Sequence, residues 1–476
     1  MRRAAALAGL GVAAYYALLL TNGLMNLWTP ALAPGWSGWH RTLGFVFNSM
    51  LLHLLRGEFD VDPEAIQWEA VITGDGKTYA YFGILPALVR LPLLPFFDLR
   101  TTDVSALTCL AAALLAAGAK LSALRAIATR VPDAAGRRPA LVAAAVITVL
   151  AGAQIQFLRA SVYQEAALWA GALAAVFVTV VVHGLLRGGA FSTRRLLTLA
   201  ALAGLAVLTR VSTGFGLCLA LVALLALVVV RGGRPRLARA AAPLAALALL
   251  LAVAGVVNYE RFGQALTFHE PTRQLASHPD GVVALAHYRH FDVRRLPYGV
   301  MYYFAPVWFV RGADGHAPFA GFRARALDLV ELPPSSFLLS DPLLLAFAAL
   351  GLATLLGRGA VAWDRPAARA VAAALAVPPV LMLTAWVMAF RYRVEFYPLL
   401  ELLAFVALAA SPLVARAASA PALRRALAVL AVASVVAAHA LLLLYKASVA
   451  GNLDASADLL LTYRTYLVQG LGKFVP

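Results

Sequence analysis

The chain has 476 residues, 62% of them hydrophobic and only 13% charged, with a mean hydropathy of +0.80, which excludes an ordinary soluble domain. A formal charge of +17 would suggest nucleic acid in a soluble protein. In a membrane protein the same excess of arginine marks cytoplasmic loops, so no nucleic-acid partner is expected.

Apolar runs long enough to cross about 30 Å of hydrocarbon recur along the chain and predict an all-α polytopic membrane protein. Met1-Arg2-Arg3 opens a run longer than the apolar region of a signal peptide, read as a retained signal anchor with its start in the cytoplasm. A first span over 7–28 is followed by a second over 104–124. Arg125, Arg130, Arg137 and Arg138 after the second return the chain to the cytoplasm, so 29–103 forms a first external loop. Within it, 43–55 reads as a short amphipathic surface helix. The stretch 85–97, with Arg90 and three prolines, is expected along the membrane surface rather than across it. Spans then fall near 140–158, 166–186, 196–209, 214–230, 241–257, 340–357, 368–390, 396–415 and 425–445. That makes about eleven in all, with arginine-bearing loops on the cytoplasmic side throughout. A large external loop covers 258–340, its aromatic piece 298–310 suited to the interface, and an external tail covers 446–476. Cys109 and Cys218 lie inside apolar runs and form no disulfide framework or zinc site. Neither repeats nor low-complexity linkers interrupt the chain, so a single transmembrane domain over 1–476 is expected. Abundant alanine and arginine suggest a GC-rich bacterial genome, hence a multi-pass protein of the bacterial cytoplasmic (inner) membrane.

Carboxylates are scarce, 23 in all, yet Glu58, Asp60, Asp62, Glu64, Glu69 and Asp75 fall close together in the first external loop. In an extended segment Asp60 and Asp62 project to one side. Such a pair can hold a divalent cation, or one acid can serve as general base near neutral pH if its neighbour raises its pKa. The plainer reading is a helix start, because Asp62-Pro63-Glu64 suits an N-cap followed by proline.

Arg159, Arg210, Arg391 and Arg393 stand at external helix ends, where guanidinium forks could grip phosphate; snorkelling or pairing with acids is the plain alternative. The 196–209 span is too short to cross unassisted, so Arg210 should be recessed, facing protein or a water-filled cavity. Glu165 and Glu401 fall within or at the ends of apolar spans, and pairing with an arginine is the first role expected of each. His269, His278, His287 and His290 match no metal spacing. Lys77, Tyr79 and Tyr81 could touch a sugar or be ordinary turn residues. Arg210 apart, the ionisable residues gather at the external face.

Four segments give the chain a resemblance to the GT-C superfamily of polytopic glycosyltransferases. They are Gly57-Glu58-Phe59-Asp60-Val61-Asp62-Pro63 with the following Gly76-to-Leu88 stretch, Val162-Tyr163-Gln164-Glu165-Ala166, Asn258-Tyr259-Glu260-Arg261-Phe262-Gly263, and Arg391-Tyr392-x-x-Glu395-Phe396. The resemblance implies a catalytic acid in the first external loop, Asp60 or Asp62. It also implies that Arg210 and Arg391, with Arg159, meet the donor phosphate; Arg393, Glu165, Lys77, Tyr81, Tyr163 and Glu69 complete the candidate substrate site. Better-known members carry an acid within a few residues of the first span, whereas here 29–57 holds none.

The expected function is sugar transfer from a polyprenyl-phosphate donor to a glycan, lipid or protein acceptor at the external (periplasmic) face, by inverting attack. No cofactor is implied, although Asp60 and Asp62 could hold a divalent cation, Mg or Mn. The alternative is a lipid-linked sugar flippase or transporter, which would place ionisable residues along a path through the membrane.

Overall fold

The computed structural model describes residues 2–30, 43–73, 76–131, 134–189, 191–232, 234–266, 290–305, 329–330, 336–357 and 363–447. Asp75, His269, His278, His287, most of the 258–340 loop and the tail from 448 lie outside the described residues.

A helix stands at each of the eleven expected spans: α1 (Arg2–Leu20), then, after the short α2 (Val46–Leu54) of the first loop, α3 (Ser105–Arg130), α4 (Ala134–Leu150), α5 (Val162–Leu185), α6 (Thr193–Val207), α7 (Val211–Gly232) and α8 (Arg234–Phe262). The short α9 (Leu296–Phe304) lies in the large loop. It is followed by α10 (Pro342–Leu356), α11 (Arg365–Leu375), α12 (Val377–Thr384), α13 (Tyr397–Ala410) and α14 (Pro421–Ala447). The span expected at 368–390 is divided between α11 and α12 because Pro378 and Pro379 supply no N–H to the ladder. Seven helical stretches, counting α11 and α12 as one, are long and apolar enough to cross a membrane among the described residues. The chain is an all-α polytopic membrane protein.

Two compact units emerge, each assembled from separated segments. The first comprises Met1–Ala119, Phe157–Val180 and Ala190–Glu270; the second comprises Lys120–Gln156, Val181–Gly189 and Pro271–Pro476. Helices α3 and α5 begin in the first unit and end in the second. A changeover inside a continuous helix carries no linker composition, so the sequence does not mark it. In the first unit α6 packs on α7 and α8; in the second α10 packs on α13, and α4 on α14.

The first loop is drawn closed by a two-stranded pairing, β1 (Thr29–Pro30) antiparallel to a strand at Thr102–Asp103, and it encloses a hairpin of Val71–Ile72 with Thr78–Tyr79. Helix α2 is where the sequence reading needs correction. It was expected to be amphipathic and to lie on a surface, but seven of its nine residues are buried, including Asn48, Ser49 and His53. Arg90 is likewise no surface residue: it is fully buried. Its polar partners come from segments far apart in sequence, which local pattern cannot reveal.

Candidate functional site

Helix α2 organises the site through two faces. Asn48 donates from Nδ2 to the carbonyls of Leu99 (2.9 Å) and Thr102 (2.7 Å), and its Oδ1 accepts Nε of Arg90 at 2.8 Å. Arg90 then makes a forked ion pair with Glu165 at the start of α5, Nη1 to Oε1 at 2.5 Å and Nη2 to Oε2 at 2.9 Å. Its remaining donors reach the Pro86 carbonyl and Ser105, and Thr108 donates to Glu165. Pair and surroundings form one satisfied network, the condition under which a buried ion pair is tolerated. Glu165 has its arginine, and both its oxygens are used inside the protein.

On the other face, Ser49 and His53 stand four residues apart, one helical turn. The chain reverses at Gly57, whose φ of 78° suits glycine, and Glu58 N–H donates to the His53 carbonyl at 3.0 Å. Residues 58–62 therefore run back along α2 and deliver the acids to its open face. Asp60 Oδ1 lies 3.0 Å from His53 Nδ1, and Asp62 Oδ1 lies 3.4 Å from His53 Nε2. The Ser49 hydroxyl donates to Asp62 Oδ2 at 2.7 Å while the Asp62 N–H donates to Ser49 Oγ at 2.8 Å. The two aspartates thus meet one imidazole from its two sides, as a period of two along an extended segment allows. Between them the Val61 N–H donates to the Thr78 carbonyl at 2.8 Å, fixing the segment to the hairpin.

Asp62 occupies the N-cap position of the short helix Pro63–Ile66, yet its side chain makes no cap hydrogen bond. It is turned to Ser49 and His53 instead. Burial works to raise its carboxyl, but the hydrogen bonds from Ser49 and His53, with the charges of His53 and Arg56, outweigh it and hold it below the usual carboxylate value, the opposite of the rise expected from a neighbouring acid. Its side chain is 58% exposed against 20% for Asp60. Arg56 donates from Nε to Glu58 Oε2 at 2.8 Å rather than to either aspartate.

A cation would find its ligands in a set other than the Asp60–Asp62 pair. Among the described residues His53, Glu58 and Asp60 offer ligand atoms that all lie within 4.8 Å of one another. One nitrogen and two carboxylates suit a cation such as Mn better than Mg, which favours oxygen alone.

Nearby in sequence, Glu69 is buried and accepts a tyrosine hydroxyl at each oxygen, from Tyr81 at 2.6 Å and from Tyr163. Three of the sequence candidates are thereby brought together. Lys77 is exposed at the turn of the hairpin, and Arg159 and Arg210 are half-buried elsewhere in the same unit. Arg391 and Arg393 belong to the second unit. Arg391 stacks on Tyr392, 5.4 Å from the ring centroid. Arg393 is fully buried, bonded from Nη2 to Ser340 (2.6 Å) and Asp341 (2.5 Å), and lies over the Phe337 ring.

The second unit also corrects the reading that ionisable residues gather only at one face. Lys120, inside α3, pairs with Glu401 of α13, so that acid's partner is a lysine. The pair borders a pocket that also meets Gln154, Asp341 and Ser434. Sequence reasoning passed over His53 and Ser49, although a serine and a histidine at i and i+4 just before an acidic segment were a legible signal. It had no means to find Asp341, which gathers Arg393, Gln156 and Tyr397 from distant segments, beside its neighbour Ser340.

No protein-family model matches the sequence, and no curated protein matches it. Among solved structures the chain is similar to the archaeal oligosaccharyltransferase AglB of Archaeoglobus fulgidus, solved with an inhibitory peptide and a dolichol-phosphate, at 15% identity and a TM-score of 0.46. It is similar to the apo form of that organism's oligosaccharyltransferase at 15% identity and TM-score 0.48, and to a form tethered to an acceptor peptide at 13% and 0.41. Each likeness covers 96% of this chain and 59% of the other, so the chain spans under two thirds of the structures it matches.

Proposed function

We propose that this chain is an integral membrane glycosyltransferase of GT-C type that moves a sugar from a polyprenyl-phosphate donor to an acceptor hydroxyl or amide. The observation that carries the reading is the open face of α2, where two aspartates flank His53 and neither is consumed by an arginine among the described residues. Asp62, ionised and the more exposed of the two, is the base: it takes the proton of the acceptor as that atom attacks the anomeric carbon. The bond to the phosphate breaks with its electron pair going to the phosphate, which is a weak enough base to leave without a general acid. Arginines stabilise the charge gathering there. Asp60, His53 and Glu58 would hold a divalent cation, which when bound supplies further charge stabilisation for the donor phosphate. Ser49 orients Asp62, and the Glu69 carboxylate with Tyr81 and Tyr163 offers hydroxyls of the kind that meet a sugar.

The test is transfer of radiolabelled sugar from a prenyl-phosphate donor in proteoliposomes. Asp62→Asn should abolish transfer while the variant still folds and binds donor. Undiminished transfer by Asp62→Asn would end the assignment. One observation favours the flippase reading: the Lys120–Glu401 pair beside a cavity in the second unit. Under that reading, Lys120→Met would stop lipid-linked sugar from crossing the bilayer while Asp62→Asn would not.

A further inference from the structure

The Asn258-Tyr259-Glu260-Arg261-Phe262-Gly263 segment is singled out by the sequence but left without a task by the site above. Two of its residues end α8. Gly263, at a φ of 73°, takes the left-handed position that favours glycine, and its N–H donates to the Tyr259 carbonyl at 2.7 Å. Asn258 donates from Nδ2 to the carbonyls of Gln264 (3.0 Å) and Ala265 (3.2 Å). Both are shaping residues. Arg261 is different.

Arg261 is only 5% exposed and donates once, from Nη1 to the Phe82 carbonyl at 2.8 Å. Its Nε and Nη2 have no hydrogen-bond partner, and no carboxylate pairs with it among the described residues. A guanidinium carries five N–H donors, and burying most of them unmet, with the charge unneutralised, is costly. Arg90 in the same unit marks the contrast, with a forked carboxylate and three further acceptors. Whatever completes Arg261 must be anionic and rich in acceptors.

The position of Arg261 narrows the choice. The Phe82 ring packs against Tyr81 (centroids 4.4 Å apart) and Tyr163 (5.7 Å), the two tyrosines that donate to Glu69. The next residue, Gly83, receives the end of α6 so closely that a Cβ there would lie 2.2 Å from the Leu208 carbonyl oxygen, and Leu85 N–H bonds that oxygen at 3.0 Å. Arg210 follows two residues later. Phe262, beside Arg261, sets its ring against Tyr79 at 6.3 Å, on the hairpin whose Thr78 carbonyl holds Val61 between the two aspartates.

We propose that Arg261 is the anion-binding residue of a phosphate site in the first unit, framed by the Phe82–Gly83 turn. This deepens the donor reading above and relies on it only for the lipid attached to that phosphate. The bland alternative is a helix-end arginine whose work is to tie down the Phe82 carbonyl.

Full-length protein in detergent micelles separates the two by thermal unfolding and by binding of farnesyl phosphate, farnesol and inorganic phosphate. Farnesyl phosphate should bind and raise the melting temperature, and farnesol should not. Arg261→Gln should lose roughly 10- to 100-fold in affinity, the range of a charged hydrogen bond or two. Arg261→Lys should retain part, since it keeps the charge without the fork. Without ligand, Arg261→Gln should melt no lower than wild type, because it relieves an unneutralised charge; a purely structural arginine would make it melt lower. Competition by inorganic phosphate assigns the site to free phosphate, and binding of farnesyl phosphate alone assigns it to a lipid headgroup. Farnesyl phosphate binding unchanged in Arg261→Gln overturns the proposal while leaving the transfer reading intact, and so does a wild type that binds neither phosphate. Loss of binding in Arg261→Gln together with full transfer by Asp62→Asn keeps the phosphate site and removes the proposed base.

Discussion

The two faces of α2 differ in one respect that separates scaffold from chemistry. On the Asn48 face every polar group meets another in the protein, ending in the fully buried Arg90–Glu165 pair. On the Ser49–His53 face the partners are carboxylates whose side chains stay part-exposed. A closed network holds position, and an open one can exchange protons or receive a ligand. The same short helix does both because consecutive residues on it point about 100° apart.

Breaking the closed face should have the largest effect. Glu165→Ala strands a buried guanidinium and should cost about 3–5 kcal/mol, enough to remove most folded protein, as read from yield in detergent and thermal unfolding. The pair Arg90→Met with Glu165→Met should recover much of that loss, because an apolar pair of similar volume removes both charges. If the double variant is as damaged as the single, the network carries more than its charges.

On the open face the effect should move from folding to activity. Asp62→Asn should lower transfer by roughly 10²–10⁴-fold, the usual worth of a general base, with the melting curve little changed. A parallel loss of folding would make Asp62 part of the scaffold and erase the distinction between the faces.

A smaller shift sharpens the comparison. Asp62 is held below the usual carboxylate value, so its ionised form, and whatever stability that form contributes, is present above the unfolded value and lost as pH falls through the lower folded one. Ser49→Ala removes a cause of that depression, and the acid limb of the transfer profile should move to higher pH. A limb that stays in place would mean another group governs it. The smallest effect is expected of Glu58→Gln, which should weaken Mn affinity by roughly tenfold, measured by calorimetry, with transfer at saturating Mn nearly unchanged.

The helices were legible because apolar length is a local property: all eleven expected spans have a helix, from α1 to α14. The acidic segment was legible for the converse reason, since carboxylates are conspicuous in so apolar a chain. Arg90 was misread because its prolines and its charge look interfacial until Glu165, 75 residues away, is brought to it. His53 was overlooked because one histidine on a short helix has no meaning until Gly57 turns the chain back. Asp341, at the start of the expected 340–357 span, collects Gln156, Arg393 and Tyr397 from distant segments as well as its neighbour Ser340. The misses at Arg90 and Asp341 are long-range contacts that no window along the sequence contains, whereas His53 lies within nine residues of both aspartates.

Asp62 stands at the N-cap of Pro63–Ile66, where aspartate is among the best residues for the purpose, and its side chain does not cap. That helix start is therefore weaker than its sequence allows, and the slack is concentrated beside the acid assigned as base. A protein under selection for rigidity alone would let the carboxylate drop back onto the helix. Substitutions that restore a capping side chain at 62 while leaving Ser49 free would firm up this turn and idle it at once. The segment is better understood as one held slightly cocked, its local order traded for a carboxylate turned onto Ser49 and His53.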